Sequence, residues 1–311
     1  MKQIIPRLPS KWIYKASPND RPADVAVHTL KNRLKAVLRL LPLAAKRSDT
    51  DVEYVHQLRV WTRRAAAAMV LYRDLMPRRR CQQMQKLLKR IRRSVDTARN
   101  CDVQISRLEQ IVAVSPDPDN RLWLETVRAD RLEAQKSVIS LFKRLKRVDG
   151  FDERVRKLLK SIRKKSQTSN SGSTDRFGKF ASRKLTSAVN GFFDAIPADS
   201  RDQTALHRFR IAGKQLRYTL ELVIAVVPER FRTEACPAIQ ELQDRLGRIN
   251  DSATSLKWLK DQHDRADGDE RAAAWKRLID RERAKMEDDG HQFQLWFSSQ
   301  VEDQLKNALK M

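Results

Sequence analysis

Two histidines sit in matching local company. His56 opens the tetrad His-Gln-Leu-Arg that ends at Arg59, and His207 opens His-Arg-Phe-Arg, which ends at Arg210, 151 positions further on. In each copy further cations follow at helical spacing: Arg63 in the first, Lys214 and Arg217 in the second. Imidazole beside guanidinium and ammonium groups can supply several charge-assisted hydrogen bonds to phosphate oxygens. Paired histidines also invite a metal reading. Neither has a His or Glu four residues on, however, and the neighbouring cations would repel a metal ion. No carboxylate cluster suited to Mg²⁺, no P-loop and no G-x-S-x-G is present. The expectation is a non-catalytic anion site with no metal and no cofactor.

The elements that must carry these residues follow from the register of the two copies. The same offset of 151 takes Arg63 to Lys214, Pro77 to Pro228, Asn100 to Asp251, Asp24 to Asp175 and Leu34 to Leu185. An internal duplication with the period of a small helical domain accounts for that register. Apolar residues spaced three and four apart predict helices over about 23–46, 52–76 and 78–112, and a fourth running to about 147. The second half predicts helices over about 175–195, 203–227, 229–264 and 268–309, with Pro197, Pro228 and Asp267-Gly268 at the turns. Residues 1–21 read as a tail or strap with Trp12 as its anchor, and the polar stretch 166–174 reads as a linker. The predicted fold is all-α: two pseudo-repeated four-helix bundle units, 22–165 and 175–311, related by internal duplication.

Composition narrows the partner. Lys and Arg number 64 against 39 Asp and Glu, a net charge of +25 over 311 residues, which calls for a polyanion such as a phosphate polymer, nucleic acid or an anionic surface. Aromatic residues are 6% of the chain and do not interleave with basic runs, so platforms for stacking single-stranded bases are not in view. Cys81, Cys101 and Cys236 form no C-x-x-C pair and read as reduced thiols. No apolar run is long enough to span a membrane and the start lacks a secretory apolar region, so a cytoplasmic location is expected.

At about 100° per residue, His207, Arg210, Lys214 and Arg217 share one face of their helix. Phe209, Ala212, Leu216, Leu220, Val223 and Val227 cluster on the opposite face, the core stripe. The first copy divides alike, with His56, Arg59 and Arg63 opposite Leu58, Trp61, Ala65, Met69 and Tyr72. Each histidine is thus expected to project away from its own core, within a row of like charges that an anion would relieve.

The segments 55–77 and, above all, H-R-F-R-I-A-G-K-Q-L-R-Y-T-L-E (207–221) resemble the CHAD family, helical domains with H-x-x-R-x-x-x-[KR]-x-x-R-[YF] in both halves of a duplicated fold. A-R-N-C-D-V (98–103) and L-Q-D-R-L-G-R-I-N-D (242–251) are similar to that family's third-helix elements. The chain departs from the pattern at Asn100, Ala66 and Gly213. Its first copy lacks a counterpart of Arg217, a role for which Arg64 is close enough on the helix. The resemblance implies a stand-alone module, without a CYTH triphosphatase barrel, that binds inorganic polyphosphate and associates with polyphosphate granules.

The candidate polyphosphate-binding residues are therefore His56, Arg59, Arg63, Arg64, His207, Arg210, Lys214 and Arg217. Arg33, Lys35, Arg90, Arg93, Arg99, Lys179, Arg183 and Lys184 could extend the track, although Arg99 has Asp102 within reach as a structural partner. Were the two units to face one another about a pseudo-twofold axis, both sets would line a basic groove or pore. The alternative is a non-specific nucleic-acid binder using the same side chains, with the runs Arg78–Arg80 and Arg163–Lys165 on exposed turns. A third reading is an adaptor whose helices serve protein contacts.

Overall fold

A computed structural model describes residues 8–114, 116–147, 150–168 and 175–310. Among the described residues ten α-helices run in chain order: α1 Pro22–Lys46, α2 Glu53–Leu71, α3 Arg78–Val114, α4 Pro118–Arg147, α5 Phe151–Thr168, α6 Phe177–Phe193, α7 Gln203–Val223, α8 Cys236–His263, α9 Asp269–Trp296 and α10 Ser299–Ala308. No strand occurs among the described residues. The fold is all-α, as the periodicity predicts, with five helices in each half of the sequence where four are expected. The first additional helix is α5, which follows Gly150. The second is α10, separated from α9 where Phe297 and Ser298 leave helical geometry. Residues 169–174 of the expected linker, and 1–7 of the expected tail, lie outside the described residues.

Helix ends follow local chemistry. Pro22 opens α1 with its fixed φ and its missing N–H where no helical partner is needed, and Asp24 lies in the first turn. α2 stops five residues before the expected end, and a 3-10 turn, Arg73–Leu75, leads to Met76, held extended (φ −111°, ψ 151°) ahead of Pro77. The second half closes α7 in the same manner, with the 3-10 turn Ile224–Val226 before Pro228. A π-helical turn, Phe231–Ala235, precedes α8, whose Pro237 lacks the N–H an ordinary turn would use. Asp202 Oδ1 accepts from the N–H groups of Thr204 (2.8 Å) and Ala205 (3.1 Å) at the start of α7. Gly268, at φ +90°, takes a conformation that side chains rarely adopt, directly before α9.

The chain divides into two compact units. Unit 1 comprises residues up to Ala113, Trp123–Ser182 and Glu221–Val226; unit 2 comprises Val114–Leu122, Arg183–Leu220 and Val227 onward.

In unit 1, α1 packs along α2 and α5. Its core joins Leu30, Leu34 and Val37 of α1 to Leu58 and Ala65 of α2, Ile91 and Val95 of α3, and Val138 of α4, all within 1% of full burial. The N-terminal strap is fixed by backbone bonds: Ile13 N–H donates to Glu221 O (3.1 Å), Phe177 N–H to Asp20 O (2.8 Å) and Gly178 N–H to Pro18 O (2.9 Å). A side chain at Gly178 would press on Pro18 at 3.2 Å. The buried anchor of the strap is Ile13 rather than Trp12, which stays half exposed beneath Lys11.

Unit 2 is built around rings. Phe209 meets Phe192 at 5.1 Å and Phe297 at 5.5 Å, and Trp258 meets Trp275 edge-on at 5.7 Å. This packing accounts for the bend after α9, since Phe297 turns back toward Phe209. Arg277 forks onto both oxygens of buried Asp119 (2.6 and 2.9 Å), and Arg281 reaches Asp117 at 2.8 Å, which secures the segment that begins α4.

Candidate polyanion-binding site

The histidine-bearing helices place their core stripes as the wheel predicts. Leu58, Trp61, Ala65 and Met69 of α2 are buried, as are Phe209, Leu216, Leu220 and Val223 of α7. The polar face behaves differently in the two units.

In unit 1, His56 and Arg63 are half-buried. Burial, then the positive charge of Arg99, holds the His56 pKa below its usual value; Glu53 opposes this, and Arg59 and Arg64 add to it. Arg59 Nε donates to Asp96 Oδ1 of α3 at 2.7 Å, and Arg92 approaches the other oxygen at 3.9 Å. Arg64 is turned inward. Its Nε meets Glu221 Oε2 at 3.1 Å while its guanidinium lies 5.1 Å from the Trp61 ring centroid.

Glu221 is shared. Arg33 Nη2 lies 3.6 Å from the same oxygen, and Arg33 also donates to Arg64 O (2.8 Å) and Lys11 O (3.1 Å). Arg33 is 1% exposed and Glu221 2%, so the place on an exposed track expected for Arg33 is instead a place in the core. A buried carboxylate flanked by two guanidiniums is a structural device, since each charge left alone there would be costly. Asp102, for its part, accepts a hydrogen bond from Arg131 of α4 (2.5 Å), and the positive charge of Arg99 acts on it as well.

In unit 2, Asn250 of α8 is the hub. Its Oδ1 lies 3.2 Å from His207 Nδ1 and accepts from Arg210 Nη1, also at 3.2 Å, with Asp251 a further 4.0 Å contact of Arg210. The Asn250 oxygen can only accept, so Nδ1 is the donor in that bond, and the ring itself is exposed. Arg217 donates to Gln240 Oε1 (3.1 Å), and its Nε has no hydrogen-bond partner among the described residues. Lys214 is half-buried on the same helix. His207, Arg210 and Asn250 edge a cavity of about 250 Å³ whose other walls include Leu206, Leu246 and Ile249.

Gly213 has a reason in this packing. The Gln243 amide crosses to donate to Arg210 O at 3.2 Å, and a Cβ at Gly213 would stand 2.4 Å from that nitrogen. Asp96, Asn250, Gln240, Gln243 and Glu221 are the site residues that basic-residue spacing does not reveal. The 151-residue offset offers one signal, since it pairs Asn250 with Arg99.

The extension residues are dispersed. Lys35, Arg90, Arg93 and Arg183 are exposed, Arg99 and Lys184 half-buried, and Lys179 pairs with Asp175 at 3.1 Å. No group of three or more His, Cys, Asp or Glu residues is placed to hold a metal ion among the described residues, nor is any described helix long and apolar enough to cross a membrane.

The chain belongs to the CHAD domain family, which matches residues 28–260. Among solved structures it is similar to the CHAD domain from the plant Ricinus communis, with a TM-score of 0.71 at 18% identity over 97% of this chain and 96% of that one. It is also similar to PptA from Streptomyces chartreusis, with a TM-score of 0.61 at 17% identity over 89% of this chain and 99% of that one. At these identities the likeness bears on fold alone. No curated protein matches.

Proposed function

We propose that the protein binds inorganic polyphosphate without turning it over, through the basic faces of α2 and α7, and that it associates with polyphosphate granules in the cytoplasm. The CHAD family's association with polyphosphate agrees with this. The observation that carries the reading is the exposed His207 ring and the Arg210 guanidinium, both oriented by one amide oxygen of Asn250 at 3.2 Å beside an open cavity. Lys214 and Arg217 continue that face. Such an array recognises phosphate oxygens and charge, with no element that reads a base. A linear polymer with about one negative charge per unit suits it, since successive units can engage successive donors.

Nucleic acid is the competing ligand, because Arg78, Arg79 and Arg80 are all exposed. Titration with long-chain polyphosphate and with duplex DNA of matched charge, at moderate and high salt, separates the two. The variant His207→Ala, Arg210→Ala, Lys214→Ala should lose polyphosphate affinity at least ten-fold and keep most of its DNA affinity. Equal losses for both ligands, or tighter binding of DNA by the parent, would defeat the assignment.

A further inference from the structure

A second basic cleft lies in unit 1, between α3 and α5. Its volume is about 480 Å³; Arg80, Lys86 and Arg90 of α3 and Arg154 and Lys157 of α5 line it over an apolar floor, with no carboxylate in the lining. All five cations are exposed. Arg80, Lys86 and Arg90 form no ion pair or hydrogen bond among the described residues, while Lys157 pairs with Glu153 of its own helix at 3.4 Å.

The cleft is separate from the histidine face. At about 100° per residue, the buried stripe of α3 (Leu88, Ile91, Val95) divides that helix into two flanks. Asp96, which holds Arg59 of α2, lies on one flank, and Lys86 and Arg90 lie on the other, with Arg80 in the first turn of the helix. Lys86 and Arg90 are a like-charge pair at i,i+4, and Arg154 and Lys157 a like-charge pair at i,i+3. Both arrangements are mildly unfavourable until an anion lies between them.

We propose that this cleft is a second polyphosphate site, one that holds a linear phosphate polymer independently of the histidine face; the proposal rests on the polyphosphate reading given above. A thin chain of tetrahedral phosphates fits between two helices, with Lys and Arg stems reaching it from both sides. A duplex presents too broad a surface to enter, and no aromatic ring lines the cleft to stack an unpaired base. Two separate sites make the protein multivalent. A chain long enough to reach both is held with avidity, and two chains can be cross-linked through one protein.

Isothermal titration of the full chain with a short polyphosphate of defined length, and then with long-chain polyphosphate, tests this. A cleft variant carries Ala at Arg80, Lys86, Arg90, Arg154 and Lys157, and the pair Lys86→Glu, Arg90→Glu is a smaller change at exposed positions. The parent should bind more short chains per protein than either variant. Long-chain affinity should fall about ten-fold or more in both variants, while the remaining short-chain sites keep their affinity. Unchanged stoichiometry and long-chain affinity in both variants would overturn the second site alone. So would loss of duplex DNA binding with polyphosphate stoichiometry intact, which would make the cleft a nucleic-acid contact. Absence of polyphosphate binding to the parent would instead overturn the functional reading itself.

Discussion

Arg59 donates to Asp96 at 2.7 Å, so one of the two cations spaced from His56 already faces a carboxylate, whereas Arg210, three residues after His207 as Arg59 is after His56, meets the neutral amide of Asn250 at 3.2 Å. An anion approaching Arg59 must compete with Asp96 at 2.7 Å; one approaching Arg210 meets a neutral amide, with Asp251 farther away at 4.0 Å. Asp96→Asn should therefore tighten polyphosphate binding about three- to ten-fold at moderate salt, with a smaller gain at high salt. Isothermal titration reads the change. Asn250→Asp should act in the opposite direction by putting a carboxylate where Arg210 now meets a neutral amide.

Gly213→Ala brings two opposed effects to one position. Alanine favours the helix by about 1 kcal/mol over glycine, but its Cβ would meet the Gln243 amide at 2.4 Å and drive it from Arg210 O. Gln243 is buried, so the displaced amide loses about 1–3 kcal/mol. The single variant should be less stable by about 1 kcal/mol, the difference of those terms. On a Gln243→Ala background the same exchange should be neutral or stabilising. Urea denaturation of the four-member cycle checks the reversal of sign.

How far the sequence reaches depends on the kind of interaction. Core stripes are local, so Phe209, Leu216 and Leu220 could be assigned from periodicity, and they are buried. Helix ends are partly local. Pro77 and Pro228 mark the turns, yet the 3-10 tightening before each depends on packing, and the break between α9 and α10 has no Gly or Pro to announce it. Charge is the least legible property. Arg33 and Arg64 look like members of a basic track because Glu221, the carboxylate that draws both inward, lies 157 residues from Arg64 in sequence. Asp96 stands 37 residues from Arg59 for the same reason, a partner brought by the pairing of α2 with α3.

Glu221→Gln should destabilise unit 1 strongly. It leaves Arg33 at 1% exposure without its countercharge and weakens the hold on Arg64, and breaking a buried pair from one side costs about 3–5 kcal/mol. Denaturant midpoints report the loss. A change below about 1 kcal/mol would mean that the network behaves as a surface ion pair.

His56 links binding to pH. Burial and the charge of Arg99 depress its folded pKa below 6.5. Between that folded value and about 6.5 the unfolded chain binds more protons, so stability from this group is fully present above about 6.5 and is lost as pH falls through the folded value. Phosphate charge acts in the opposite direction and favours the imidazolium. Polyphosphate binding should therefore draw a proton onto His56 and tighten as pH falls from about 8 to about 6. His56→Gln should remove part of that proton uptake and leave stability nearly independent of pH over the same window, apart from other groups. Titration in two buffers of different ionisation enthalpy measures the uptake directly. Affinity that stays flat across the window in the parent, or equal proton uptake in parent and variant, would show that His56 contributes no charge to the bound state.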